Sequence, residues 1–213
     1  SYSMLAGGKR LRPMLMQETY RMFGGTDRVI EPFMAAIEMI HTSSLVHDDL
    51  PCMDDDMIRR GKASTWAEYG EDIGVLAGDA LMMYAFETAS KAFDAAEDAD
   101  ALLRAGKAMG ILAAKTGVYG MIGGQTVDVE LAGGPVPKDK LDFIYRLKTG
   151  ALLEASMVIG AVMAGASEAE CRTVERMAAA IGLAFQIQDD ILDVTSSQEV
   201  LGKPVLSDEK NNK

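Results

Sequence analysis

Residues 31–48 carry one helical stripe, Ile37, Ile40, His41, Ser44, Leu45 and Asp48, which runs straight into HDDLPCMDDDMIRR. Apolar spacing of three and four residues predicts a helix with one face turned to a core. Pro51 ends it, because proline lacks a backbone donor and disfavours helix at the residue before it, Leu50. Five aspartates, Asp48, Asp49, Asp54, Asp55 and Asp56, then fall within nine positions. Carboxylates sit poorly at a helix C-terminus unless a cation offsets the dipole. On a continued helix Asp54 would lie about 240° round the axis from Asp48. A turn over residues 50–53 would let the chain re-aim and bring both onto one cation. A solvated acidic loop is the other reading of the same residues.

Helical spacing recurs along the chain. Further helices are predicted at 13–23, 74–93, 98–114 and 116–131, with a single helix or a broken pair over 138–164. The last, 167–194, is apolar on several faces and is expected at the centre. GGPVP at 133–137 is a loop. No convincing alternating strand is found, and aromatics make up 6 % of a chain rich in alanine and methionine. That balance favours helices over a β-sandwich. A chain of 213 residues can bury a full core, so the expectation is one all-α domain over 1–213, a bundle of long helices.

The net charge of −11 argues against nucleic acid as a partner and against a basic helix lying on a membrane. Two cysteines, Cys52 and Cys171, make no disulfide framework and suit a reducing compartment. No segment reads as a signal peptide or a membrane span, so a cytoplasmic protein is expected.

A second acidic cluster lies in FQIQDDILD, residues 185–193. Asp189 and Asp193 are four apart and share a helix face, with Phe185 and Gln186 one turn before. They repel each other among apolar neighbours, which points to a shared cation more than to an exposed stripe. Carboxylates without a His or Cys cluster suit Mg²⁺, which binds through a few carboxylates together with substrate phosphates. Two basic knots complete the pattern: Lys9, Arg10 and Arg12 in GGKRLRP, and Arg59, Arg60 and Lys62 just after the aspartates. In so acidic a chain they read as local anion sites, arginine being suited to bidentate phosphate contacts.

Taken in order, GGKRLRP, DDLPCMD followed by RR, KTG, FQIQDDILD and GKPVLSD resemble the trans-isoprenyl diphosphate synthases, nearest to the farnesyl and geranylgeranyl diphosphate synthases. The resemblance spans residues 2–213. It implies the isoprenoid synthase fold, a helical bundle around a central cavity, usually as a homodimer. It implies condensation of isopentenyl diphosphate with an allylic diphosphate, releasing pyrophosphate. Asp48 and Asp54 would bind Mg²⁺ from one side and Asp189 from the other, with Asp49, Asp190 and Asp193 in support. Three ions per site are implied, with Mn²⁺ able to substitute. Arg59 would grip the allylic diphosphate, and Lys9, Arg12, His41 and Arg60 the isopentenyl diphosphate. Lys148, Thr149, Gln186 and Lys203 would line the reacting end, and Phe185 the growing carbon chain.

The resemblance also implies that Ser43 and Ser44, about one turn before Asp48, set product length. Two small residues there favour twenty carbons over fifteen. The chain departs from the family in Ala63 and Trp66, where members usually carry proline and histidine. It also reads as truncated at both ends relative to typical members. A terpene cyclase of the same fold would not need GGKRLRP; a non-catalytic subunit or truncated homologue is the other alternative.

Overall fold

The computed structural model describes residues 1–132, 134 and 136–195. Helices α1 (Leu11–Met22) and α2 (Glu31–Asp48) lead into a two-stranded hairpin, β1 (Ile58–Arg59) and β2 (Lys62–Ala63). Then follow α3 (Thr65–Tyr69), α4 (Glu71–Asp94), α5 (Ala99–Thr116), α6 (Met121–Glu130) and α7 (Lys138–Ile144). A π-helical turn (Tyr145–Gly150) joins α7 to α8 (Ala151–Met163), and α9 (Glu168–Thr195) closes the described chain.

The long helices fall where the periodicity places them, and α2 matches 31–48 at both ends. The broken pair over 138–164 is the correct alternative, with the π-helical turn as its break. α6 begins later than the predicted 116, after the turn at residues 117–120. The hairpin and α3 escape the periodicity reading. Strands of two residues are too short to alternate visibly. Their pairing, Ile58 with Ala63 and Arg59 with Lys62, is set by a turn whose two central residues, Arg60 (φ 55°) and Gly61 (φ 74°), are left-handed. Positive φ at both positions is what a tight two-residue hairpin demands.

One core unites the elements. Met16 and Tyr20 of α1, Phe33, Ile37 and Ile40 of α2, and Leu152, Ala155 and Ile159 of α8 are buried together. Ala85, Ala89 and Ala92 of α4 and Ala105, Ala108 and Leu112 of α5 join them, small side chains that let the helices approach closely. Burying each large side chain contributes about 1.5–3 kcal/mol, and truncating the fully buried Phe33 to alanine would cost about 3–5 kcal/mol. The central helix is α8, every residue of which is buried. This corrects the expectation that 167–194 is central: α9 buries Val174 and Ala178 against α8 but exposes Met177, Leu183, Ile187 and Ile191 among the described residues. The reason is compositional. Glu154 is the single charged residue in α8, whereas α9 carries charges at both ends, Glu168, Glu170, Arg172, Glu175 and Arg176 in its first turns and Asp189, Asp190 and Asp193 in its last.

Candidate active site

The C-terminal end of α2 makes the turn that the sequence requires. Asp49 N–H donates back to Leu45, and Met53 N–H to the Leu50 carbonyl, closing a turn around Pro51. Asp54 N–H then donates to the Asp48 carbonyl at 2.9 Å, and Asp56 N–H to that of Asp49 at 3.1 Å. The acidic run is thus folded back on the helix end, and Asp48 and Asp54 feel each other's charge. Asp55 adopts φ 53°, a left-handed conformation that aspartate tolerates better than most residues.

Asp48 is the centre of an acidic wall. Its Oδ1 accepts a 2.7 Å hydrogen bond from Gln125 of α6. Burial raises its pKa, Lys148 and Arg59 oppose the rise, and Asp54 and Asp128 add to it. Lys148 lies on the π-helical turn and donates to Asp128 of α6 at 2.7 Å. Burial alone would lower the Lys148 pKa, but Asp48 and Asp128 outweigh it and hold the ammonium charged. The contact is close because α6 presents Gly124 to the turn: any Cβ there would strike the backbone of Leu147 and Lys148. The next residue hooks the opposite neighbour, Thr149 Oγ1 donating to Gln186 Oε1 of α9 at 2.8 Å. A π-helical turn adds one residue to the helical repeat and is frequent at functional sites. Here it lets consecutive side chains serve α6 and α9.

Asp49 turns away from Asp48. It is 2 % exposed, and one of its oxygens accepts from both Nε and Nη2 of Arg59. Arg59 Nη2 also reaches Asp56 at 3.0 Å. Burial pushes Asp49 up to about 6 against the pull of Arg59, which still leaves it ionised at neutral pH. Burial lowers the Arg59 pKa, but Asp49 and Asp56 outweigh it and the net shift is upward; both groups are therefore charged and the pair is intact. Trp66 braces the same loop, its indole N–H donating to the Asp56 carbonyl at 3.0 Å.

A basic nest adjoins the wall. Arg60, at the hairpin tip, donates to the Gly7 carbonyl at 2.7 Å. Arg10, in a left-handed conformation at the start of α1 (φ 51°), donates to Glu38 of α2 and to the Met4 carbonyl. Arg12 Nε is enclosed with no hydrogen-bond partner among the described residues; burial, with the charge of Arg60, lowers its pKa to about 10 while Glu38 opposes. His41 stands among these arginines. Burial first, then Arg12, Arg60, Arg59 and Arg10, drive its pKa well below 6.5, so its imidazole is neutral. Lys9 is exposed on the same loop.

The two length-setting candidates occupy different surroundings. Ser43 is fully buried in the α2–α4 contact, its hydroxyl donating to the Gly78 carbonyl at 2.8 Å. Ser44, half-buried, lies one turn before Asp48 and bonds back to the His41 carbonyl. Phe185 and Asp189 are partly buried on α9. The side chains of Asp190 and Asp193, and Lys203 altogether, lie outside the described residues. Sequence reasoning missed Gln125, Asp128 and Glu38. The signal was present: each is a polar residue inside an otherwise apolar helical pattern.

The donor set suits a hard cation. The acidic wall offers carboxylate oxygens, and burial, with the charges of Asp54 and Asp128, raises the pKa of Asp48. Mg²⁺ is commonly held by a few carboxylates together with substrate phosphates.

The chain belongs to the polyprenyl synthetase family, which it matches over residues 1–213. It is 47 % identical over 205 residues to the heterodimeric geranylgeranyl pyrophosphate synthase large subunit 1 of Arabidopsis thaliana, covering 95 % of this chain and 55 % of that protein. It is 45 % identical over 213 residues to the farnesyl diphosphate synthase of Geobacillus stearothermophilus, covering all of this chain and 71 % of that one. The chain thus spans little more than half of the plant relative. Its fold superposes with a TM-score of 0.85 on the Helicobacter pylori geranyltransferase complexed with magnesium and isoprenyl diphosphate, at 33 % identity, covering 99 % of this chain and 74 % of that one.

Proposed function

We propose that this chain is a short-chain trans-prenyltransferase that joins isopentenyl diphosphate to an allylic diphosphate. The observation that carries the reading is the pairing of two unlike sites along one helix: a carboxylate wall at Asp48 and an arginine nest around His41 and Arg12, whose Nε has no partner among the described residues. Asp48, Asp54 and Asp189 would hold Mg²⁺, with Asp190 and Asp193 assigned to the same role by sequence, and the metal would carry a diphosphate. Bound Mg²⁺, or Mn²⁺ in its place, supplies neutralisation of the charge that develops on the leaving diphosphate; three ions suit a loaded site. The nest takes a diphosphate directly, through Arg12, Arg60 and Lys9. A cyclase, which handles one diphosphate, has no use for the second site.

In the reaction the allylic C–O bond breaks and its electron pair leaves with pyrophosphate. The double bond of isopentenyl diphosphate attacks the resulting allylic carbon, and the proton lost from the adduct goes to the released pyrophosphate. Lys148 and Arg59 are fixed charges that stabilise the leaving group without transferring protons. Thr149 and Gln186 would border the allylic carbon, a role that the sequence resemblance also gives to Lys203. Neutral His41 would offer the isopentenyl diphosphate a hydrogen bond without adding a further positive charge to the nest. Phe185 and the α2 stripe form the apolar wall that keeps water away.

A second copy of this chain is the partner we favour. Ile73, Leu76, Met83 and Tyr84 make a continuous exposed stripe on α4, an apolar face of the kind that marks a protein interface. The Arabidopsis relative is named as a subunit of a heterodimer, so a different synthase chain is the competing occupant. Two free cysteines are consistent with a cytoplasmic setting, and no described helix is long and apolar enough to cross a membrane. Incubation with isopentenyl diphosphate and dimethylallyl, geranyl or farnesyl diphosphate, with and without Mg²⁺, followed by chromatography of the dephosphorylated products, tests the activity. Fifteen- or twenty-carbon alcohols formed only with metal support it; cyclic hydrocarbons would favour the cyclase, and no product in any combination would sink the reading.

A further inference from the structure

We propose that Glu38 is a positioning residue for the isopentenyl diphosphate site, a carboxylate that holds the arginine nest in shape without touching substrate. The inference rests on the two-site reading above.

Glu38 is 5 % exposed on α2, between Ile37 and Ile40, which are both fully buried. A carboxylate in such surroundings is costly unless it is paired. Its partner comes from outside the helix. Arg10 donates from Nη1 to Glu38 and from Nη2 to the Met4 carbonyl, so one guanidinium ties the chain before α1 to the middle of α2. Arg10 reaches it by taking a left-handed backbone conformation, φ 51° and ψ 36°. An L-residue adopts that conformation only where its surroundings over-determine it. The ion pair is that determinant, and it fixes the direction in which α1 and Arg12 set out.

The remaining arginines meet the same carboxylate electrostatically. Glu38 is the first opposite charge acting on Arg12 and on Arg60. Arg60 is itself left-handed, φ 55°, and its guanidinium lies across Gly8 at a distance that no Cβ would allow. Guanidinium groups from the pre-α1 loop, the first turn of α1 and the hairpin tip therefore converge near one buried acid from α2. Before any diphosphate arrives the arginines repel one another. Glu38 supplies the charge that keeps them together, and Arg12 retains a free donor for the incoming anion.

Two plainer roles make different forecasts. If Glu38 were merely a negative charge beside an anion site, removing it would tighten diphosphate binding. If it were merely a fold-stabilising ion pair, its loss would lower Tm and leave both substrates unaffected or equally affected. A positioning role weakens isopentenyl diphosphate alone.

The test measures KM for isopentenyl diphosphate, KM for geranyl diphosphate, and kcat in wild type, Glu38→Gln, Glu38→Ala, Arg10→Met and the Glu38→Ala/Arg10→Met double variant. Loss of one charge-assisted contact predicts a rise of about tenfold or more in KM for isopentenyl diphosphate in Glu38→Ala and Arg10→Met. KM for geranyl diphosphate should move less than about twofold on the same reasoning. The double variant should be no worse than either single, because the two side chains act as a unit. Glu38→Gln, which still accepts from Arg10, should fall between. Should Glu38→Ala fail to fold, Arg10→Met carries the same comparison, since its side chain is 36 % exposed and leaves no cavity in the core. An unchanged or lowered KM for isopentenyl diphosphate, or equal weakening of both substrates, overturns the assignment of Glu38 alone. A wild-type chain that binds neither diphosphate by calorimetry overturns the two-site reading and this inference with it.

Discussion

Gln125 of α6 donates a 2.7 Å hydrogen bond to Oδ1 of Asp48, the last residue of α2. Two helices far apart in sequence thus share one carboxylate, and the bond fixes which way that carboxylate faces. Removing the donor leaves a buried charged acceptor short of a partner, a loss of about 1–3 kcal/mol. Gln125→Leu should therefore lower kcat/KM by about one to two orders of magnitude and raise the Mg²⁺ concentration needed for half-maximal rate. A magnesium titration of variant and wild type checks it. Unaltered metal dependence would mean that Gln125 braces the helices only.

Asp48 itself should trade stability against activity. Burial, with Asp54 and Asp128, raises its pKa, so its charge is a burden to the metal-free fold. Asp48→Asn keeps the size and an acceptor for Gln125 but removes that charge. Relief of about 1 kcal/mol should raise the metal-free Tm by about 2–4 °C, while turnover in Mg²⁺ falls at least about a hundredfold, given the several kcal/mol a metal ion supplies. Calorimetry in chelator and an activity assay in metal read the two halves separately. A Tm that falls in chelator would show Asp48 to be satisfied without a cation.

His41 gives the fold an acid-side weakness. Its pKa lies well below the ordinary 6.5, through burial and four arginines. The unfolded chain takes up that proton near 6.5 and the folded chain does not. The stability it contributes is present above 6.5 and is lost as pH falls below it, at about 1.4 kcal/mol per pH unit for one proton. Asp49 works in the opposite sense, since a pKa raised to about 6 lets the folded state accept a proton before the unfolded one does. Wild-type stability is therefore the sum of opposed slopes between pH 6.5 and 5. His41→Gln should remove the destabilising one and make the variant gain on wild type as pH falls through that window. Urea midpoints at half-unit pH steps measure the difference; parallel curves would place a charged His41 in the folded state.

Much of this site was legible in advance because its components are charge patterns on helices. The stripe from Ile37 to Asp48 and the break at Pro51 gave the helix, its end and the turn beyond it. The features that escaped are relationships between segments. Nothing in the order of residues says that Arg10 turns to Glu38 while Arg12 Nε keeps no partner among the described residues; that division accompanies one left-handed backbone angle. Gln125 and Asp128 stood in plain view as polar residues on a mostly apolar helix, but their partners, Asp48 and Lys148, are known only once α6 packs against the π-helical turn. The centrality of α8 was missed for a different reason. Periodicity reports which face is apolar, and a helix buried on every side has no face to report.

Lys148 and Asp128 form a half-buried ion pair next to Asp48. Removing one partner of such a pair leaves an uncompensated charge and costs more than removing both. Lys148→Met should be the worst single change, since it also strips Asp48 of its leading counter-charge. Lys148→Met combined with Asp128→Leu should fold better than Lys148→Met alone, though both should be inactive if Lys148 steadies the leaving group. Thermal melts of the four members of the cycle decide it. Additive losses would show that the two residues are independent.

Product length is best probed at Ser44. Ser43 is sealed between α2 and α4 with its hydroxyl on Gly78, so a bulky residue there must first push the packed helices apart, at a typical cost of about 1–3 kcal/mol. Ser44 is half-buried and lies one turn before Asp48, where a growing chain anchored at the metal site would pass. Its hydroxyl donates to the His41 carbonyl of its own helix, at 2.9 Å. Ser44→Phe should therefore shorten the product profile while Tm stays within a few degrees of wild type. Ser43→Phe should show the reverse emphasis, a clear fall in Tm with a smaller change in products. Product chromatography together with thermal melts separates the two. A shortened product from Ser43→Phe with an unchanged melt, and none from Ser44→Phe, would move the floor of the cavity to the α4 side of the helix.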